Sequence, residues 1–339
     1  MSENFRELAP LNWQAYVEEA IRRRKKEKLT QREHAALASV SVPTIVSFDR
    51  GETTLSLGKA FDILRVVGLV REPNPFGAQG AFVQEAFARW RELTAALPKD
   101  SPGRFPHGWY RFDYALEGEL KPIELHNFPA LFRQAVVRHT GWPLFLFLTR
   151  PEFAPYEIDG TLECWLKPED AGANRPLGDA AHCDFWRAAP TGRTVTMRGY
   201  QEDGQETFPA GTIFDTTLPT WRMGEALLHA SNLTQLLAED PKGVKVKFRA
   251  VYTGLSGRVL RAWGNPMSDL MMEGSAARSD EAILEAVVPA DEVETNLAKW
   301  LHPLVASLFE RFGVTGLTVE RVNAELDRMR ENNFHSVRS

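Results

Sequence analysis

The chain has 339 residues, of which 43% are hydrophobic and 25% charged, and its net charge is −5. That length suits two or three domains with a sizeable core, and that charge excludes a chain that is basic throughout and holds nucleic acid by bulk attraction. Two cysteines, Cys164 and Cys183, exclude a disulfide framework and a four-cysteine zinc site.

The charge is uneven. Residues 1–70 hold 11 Lys and Arg against 9 Asp and Glu, a balance of +2, which leaves −7 for the rest. A first helix ends in Arg22-Arg23-Arg24-Lys25-Lys26, a run that suits either phosphates or the negative end of its own helix. Thr30 then stands where a helix N-cap belongs, and Glu33 three residues later completes a capping box. Ala35 leaves room for a crossing helix, and Ser39-Val40-Ser41 forms a turn. Ser41 caps the next helix, and because Pro43 has no N–H the bond must go to Thr44. Ile45 and Phe48 are spaced to face inward. Asp49-Arg50-Gly51 ends the helix, with Gly51 in the left-handed conformation. A helix over 57–67 carries Leu57, Ala60, Phe61, Leu64 and Val67 on its apolar side and ends at Gly68.

Residues 29–69 resemble the Cro/phage-repressor (Xre-type) helix-turn-helix family. The matching residues are Leu29-Thr30-Gln31, Ala35, Val40-Ser41, Thr44-Ile45, Asp49-Arg50-Gly51 and Ser56-Leu57. With helix 1 included the resemblance covers about sixty residues and no more. It implies an all-α domain over 1–72 that binds double-stranded DNA, with the helix that starts at Ser41 in the major groove. By position, Val42, Thr44 and Ser47 would face base edges. Gln31 would hold a phosphate or reach a base, and Arg50, Thr53 and Lys59 would contact phosphates. Family members commonly carry Gln, Arg or Asn on that face. Here it offers Val42, Pro43, Val46 and two hydroxyls, so modest direct readout and more dependence on DNA shape are expected.

Arg71-Glu72-Pro73-Asn74-Pro75 reads as the exit from this domain. Residues 73–107 read as a helical connector and linker, with a helix over 81–97 and a Pro/Gly-rich stretch over 98–107. An α+β domain is expected over 108–270. Strands are read at 109–116, 144–149, 161–166, 193–200, 245–253 and 258–263, and helices at 128–139 and 218–238. Two strand–helix–strand units form a candidate tandem repeat: Phe128-Pro129 and Phe132-Arg133 in one correspond to Leu218-Pro219 and Trp221-Arg222 in the other. Residues 279–332 read as a helical C-terminal region. It holds a stripe of Val293, Leu297, Trp300, Leu301, Leu304 and Leu308, and one more helix over 317–330.

The large domain offers few chemical signatures. Arg222, Glu225 and His229 share one helix and form a candidate effector site, with Glu225 and His229 at the spacing of an acid–base pair. Gly199-Tyr200-Gln201-Glu202-Asp203-Gly204 reads as an exposed acidic turn. Arg198, Arg222, Arg249 and Arg258 would line an anion pocket if their elements converge, and six of the nine tryptophans fall between 109 and 263, where they would line a pocket or fill a core. No HExxH, phosphate loop or GxSxG elbow occurs. No catalytic residue, metal or cofactor is assigned. No signal-peptide pattern opens the chain and no apolar run reaches membrane-spanning length, so a cytoplasmic, nucleoid-associated protein without a membrane partner is expected. The reading is a DNA-binding transcriptional regulator and not an enzyme: a homodimeric repressor whose large domain assembles it or senses a small-molecule or protein effector. The alternatives are a DNA-targeted enzyme or defence effector, and an antitoxin-like protein that binds a toxin.

Overall fold

The computed structural model describes residues 12–38, 40–70, 77–168, 178–204, 207–263 and 274–331. The chain divides into two compact units, Met1–Pro75 and Phe76–Ser339. Ser39 and the 71–75 exit lie outside the described residues.

The first unit contains α1 (Trp13–Lys26), α2 (Gln31–Leu37), α3 (Val42–Asp49) and α4 (Leu57–Val66). Both caps expected around α2 and α3 form. The Thr30 and Glu33 backbone N–H groups each donate to the other's side chain, at 2.8 and 3.2 Å, and Ser41 Oγ accepts from the Thr44 N–H at 3.3 Å. Gly51 has φ +74°. Its N–H donates to Phe48 O and that of Glu52 to Ser47 O, a six-residue closure that a side chain with a Cβ resists. Ile45 and Phe48 are buried with Val17, Ala20, Ala35, Ile63 and Leu64. Trp13 packs edge-on to Phe48 and donates from its indole to Gly51 O at 3.2 Å. Helix α4 departs from expectation, because Leu57 and Phe61 are 64% and 40% exposed; Ile63 takes the buried position instead.

The second unit is built on a seven-stranded sheet in the order β2-β3-β4-β5-β1-β7-β9, antiparallel throughout. The strands are β1 (Trp109–Glu117), β2 (Tyr156–Ile158), β3 (Thr161–Trp165), β4 (Phe185–Ala189), β5 (Arg193–Gly199), β7 (Lys245–Tyr252) and β9 (Ala282–Pro289). β6 (Ile213–Asp215) and β8 (Val259–Arg261) form a separate parallel pair. Alternation along β1 sorts the two faces. Tyr110, Phe112 and Tyr114 join the large core with α7 (Thr217–Leu237), α8 (Leu297–Glu310) and α9 (Val319–Glu331). The opposite face carries α5 (Gly77–Thr94), whose Phe82, Val83 and Ala86 meet Phe185, Val195 and Met197. The short α6 (Phe128–Gln134) packs on α7.

Four expectations change. The 73–107 segment is not a connector: α5 lies on the sheet, and Phe105 from the proline-rich stretch is buried beside it. Residues 282–289 are strand β9, paired along their length with β7, so the C-terminal region is not helical throughout and its helices complete the large core. Residues 144–149 are irregular, although Leu144, Phe145 and Leu146 are buried. The first strand–helix–strand unit therefore lacks its second strand, whereas β5, α7 and β7 complete the other. Helix α6 is also much shorter than α7, 7 residues against 21, so the tandem repeat is not seen.

Candidate functional site

In the first unit, packing consumes one side of α3 and leaves the other. Val42 is 40% exposed, Thr44 and Ser47 are half-buried, and Arg50 is exposed with a loose 3.9 Å approach to Glu52. Thr44 Oγ1 and Ser41 Oγ share a hydrogen bond of 2.8 Å. Thr53 and Lys59 are exposed. Gln31, at the start of α2, donates from Nε2 to Asp49 Oδ2 at 2.6 Å. The same carboxylate receives the Arg24 fork at 2.8 and 2.6 Å, with side chains only 8% and 13% exposed. Asp49 thus ties α1 and α2 to the end of α3, a role its place in a helix stop does not announce.

The basic run at the end of α1 divides accordingly. Arg24 is structural, and Arg22 and Arg23 bind Glu19, which they hold down at about 2. Arg23 also donates to the carbonyls of Val67 and Gly68 at the end of α4. Lys25 and Lys26 stay exposed. His34 is buried against Ile63 O at 2.9 Å, and burial lowers its pKa.

In the second unit, the four arginines do not converge on an anion. Arg198 pairs with Asp184, Arg222 with Glu225, Arg249 with Asp113 and Arg258 with Asp203. Arg249 and Asp113 sit directly opposite on β7 and β1 and so share the face that carries α5, away from Arg198. Glu225 accepts from the His139 and Thr140 N–H groups at 2.9 and 2.8 Å and from Thr140 Oγ1 at 2.8 Å. Arg222 Nη1 also bonds Thr140 Oγ1 and Trp142 O. His229 instead shares a 2.6 Å hydrogen bond with Tyr114 Oη. Burial pushes it down to about 3, so it is neutral. The candidate acid–base pair is therefore not assembled, and each member fixes a different loop or strand to α7.

Arg222 does line a small, partly open cavity of about 20 Å³, room for about one water. Its walls are Tyr110, Phe112, Tyr200, Gln201, Glu202, Leu218, Pro219 and Tyr252. Sheet register explains the aromatic side: Tyr110 lies opposite Tyr252 on β7, and Tyr200 follows the end of β5. The ring centroids of Tyr200 and Tyr252 lie 6.0 and 6.1 Å from that of Tyr110. The expected exposed acidic turn is buried here, because Gln201–Gly204 packs as a 3-10 turn with Glu202 3% exposed. Glu202 Oε1 accepts from the Asp215 N–H at 3.1 Å. Burial, then the nearby Asp215 carboxylate, raise Glu202 to about 8. Tyr252 Oη is buried without a hydrogen-bond partner among the described residues. Periodicity along β1 signalled its aromatic face, but Tyr110, the turn that holds Tyr200 and Glu202, and Tyr252 are far apart in sequence and nothing local marks them as neighbours. No tryptophan lines the cavity.

Among the described residues no helix is long and apolar enough to cross a membrane. Comparison with family models, curated proteins and solved structures returns no match, so the functional argument rests on these residues.

Proposed function

We propose that the chain is a sequence-specific DNA-binding transcriptional regulator, a repressor that acts as a homodimer. In this reading α2 and α3 are the helix-turn-helix whose sequence resembles the Xre-type family, and α3 enters the major groove. One observation carries the proposal. The eight-residue α3 buries Ile45 and Phe48 while it leaves Val42, Thr44 and Ser47 outside the core, on a helix capped at both ends and anchored through Asp49. Arg50, Thr53 and Lys59 flank that surface as phosphate contacts. Gln31 must exchange its bond to Asp49 for one to DNA, or else help to hold α3 while its N–H group meets a phosphate. The second unit serves dimerisation and effector sensing; a ligand acts by favouring one arrangement of the dimer over another. Cytoplasmic location at the nucleoid follows from this role.

The test is the double variant Thr44→Ala/Ser47→Ala in a gel-shift titration on operator and on random DNA. Operator affinity should fall more than random-DNA affinity. Equal loss on both would remove the base-reading assignment.

A further inference from the structure

The last turn of α5 and the segment 95–104 that follows it enclose an open groove of about 290 Å³, close to the lower end of small-ligand sites at roughly 300–1,000 Å³. Its lining is Trp90, Arg91, Thr94, Ala95, Lys99 and Arg104, so it holds three cations and no carboxylate. Arg91 and Lys99 are exposed and make no ion pair among the described residues. Glu92, next to Arg91 in sequence, is taken by Arg89 at 3.3 Å, and Arg89 also binds Glu163 at 3.1 Å. Asp100 is exposed and forms no part of the lining. The C-terminal end of a helix is negative and by itself would repel an anion. Here the carbonyls of that end already accept hydrogen bonds. Thr94 Oγ1 donates to Trp90 O at 2.9 Å, with Arg91 O at 3.4 Å. The Ala95 and Leu97 N–H groups donate to Glu92 O and Thr94 O, and Arg104 Nη2 donates to Ala95 O at 2.8 Å. Two more donors on these residues, Trp90 Nε1 and Arg104 Nε, are buried without an acceptor among the described residues. Unmatched buried donors are costly, so this is a place rich in donors and short of acceptors.

We propose that this groove binds a small phosphorylated molecule, with Arg91, Lys99 and Arg104 as counter-charges to the phosphate and Trp90 as an apolar wall for the group that carries it. Charge selects the class. A phosphate monoester brings about −1.5 to −2 at neutral pH and three acceptor oxygens, whereas a carboxylate brings one negative charge and two oxygens. Three cations without carboxylates therefore favour the phosphate, and guanidinium groups match its oxygens in pairs. The concave shape favours a phosphate at the end of a small molecule, which can enter a recess, over the phosphates along the convex backbone of a duplex. Phe105 stacks on Trp90 with ring centroids 5.7 Å apart and planes 3° from parallel, which fixes the indole on the groove wall. The site is independent of the DNA-binding reading, so either can fail without the other.

Isothermal titration of the full chain at constant ionic strength tests this, with phenyl phosphate and inorganic phosphate as probes and benzoate as the singly charged control. The expected result is saturable binding of phenyl phosphate, about tenfold or more tighter than benzoate. Arg91→Gln/Lys99→Gln changes only exposed side chains, so thermal unfolding should match wild type while affinity for phenyl phosphate falls about tenfold or more. Lys242→Gln/Lys245→Gln removes the same charge from exposed residues that do not line the groove, and should leave that affinity unchanged. No saturable binding of either phosphate probe up to about 10 mM would overturn the proposal. So would equal affinity for benzoate, or an equal loss in both double variants, which would mark bulk attraction. A gel shift on duplex DNA separates the two sources of phosphate: if Arg91→Gln/Lys99→Gln lost duplex affinity and kept affinity for phenyl phosphate, the groove would belong to nucleic acid and the proposal would fall.

Discussion

Glutamine at position 202 should stabilise the second unit, by an amount set by pH. In the fold, burial raises Glu202 from 4.5 to about 8. The unfolded chain releases this proton above its lower pKa, while the folded chain holds it until the higher one. Stability that is fully present below pH 4.5 is therefore lost as pH rises towards 8, and the loss levels off above that. Glutamine never ionises and so avoids the loss. At 1.36 kcal/mol per pH unit, the variant should exceed wild type by about 1 kcal/mol at pH 5 and about 3 kcal/mol at pH 7. Because Glu202 is 3% exposed, solvent screening removes little of this. Urea unfolding followed by tryptophan fluorescence reads the difference, since six of the nine tryptophans lie between 109 and 263. A variant no more stable than wild type at pH 7, or a difference that does not grow from pH 5 to pH 7, would refute the assignment of Glu202 as a buried neutral acid.

Other outcomes follow from the first unit. Asp49→Ala strands the Arg24 guanidinium in a site where it is 8% exposed, at a cost of about 3–5 kcal/mol; hydrogen exchange over residues 13–66 should lose protection, and Arg24→Met/Asp49→Leu should recover most of it. Lys28 closes α1 with φ +57°, a conformation in which glycine is less strained, so Lys28→Gly should raise stability by about 0.5–1 kcal/mol in the same experiment. Arg50→Gln/Lys59→Gln should lower the slope of log affinity against log salt by about two on any duplex, as expected for two lost phosphate contacts. A slope unchanged from wild type would place both side chains away from the backbone.

Local chemistry made the first unit legible. Thr30 with Glu33, Ser41 with Thr44, and Gly51 each act within six residues, so a capping pattern in sequence becomes the observed bond. Leu57 and Phe61 misled because apolar spacing identifies a helix face but not whether a neighbour covers it. In the second unit β1, β5, α7 and β7 were readable from alternation or length. Strand β9 was not, because the acids and alanines around 281–286 favour helix locally, and pairing with β7 overrides that preference. The cavity was hidden for a related reason: strand register brings Tyr110 to Tyr252, and a buried turn brings Glu202 to Asp215, pairings that no short window contains. Glu225 and His229 show the converse, since correct helical spacing did not make them partners: Thr140 claims one and Tyr114 the other.

A nuclease-protection footprint of the full chain on the DNA upstream of its own gene, at physiological salt with competitor duplex, is the most direct measurement of whether this is a DNA-binding regulator. A two-fold symmetric protected site is expected, with half-sites about 34–36 Å apart, lost in Thr44→Ala/Ser47→Ala. Uniform protection that competitor removes, or no protection at all, would contradict sequence-specific binding by α3.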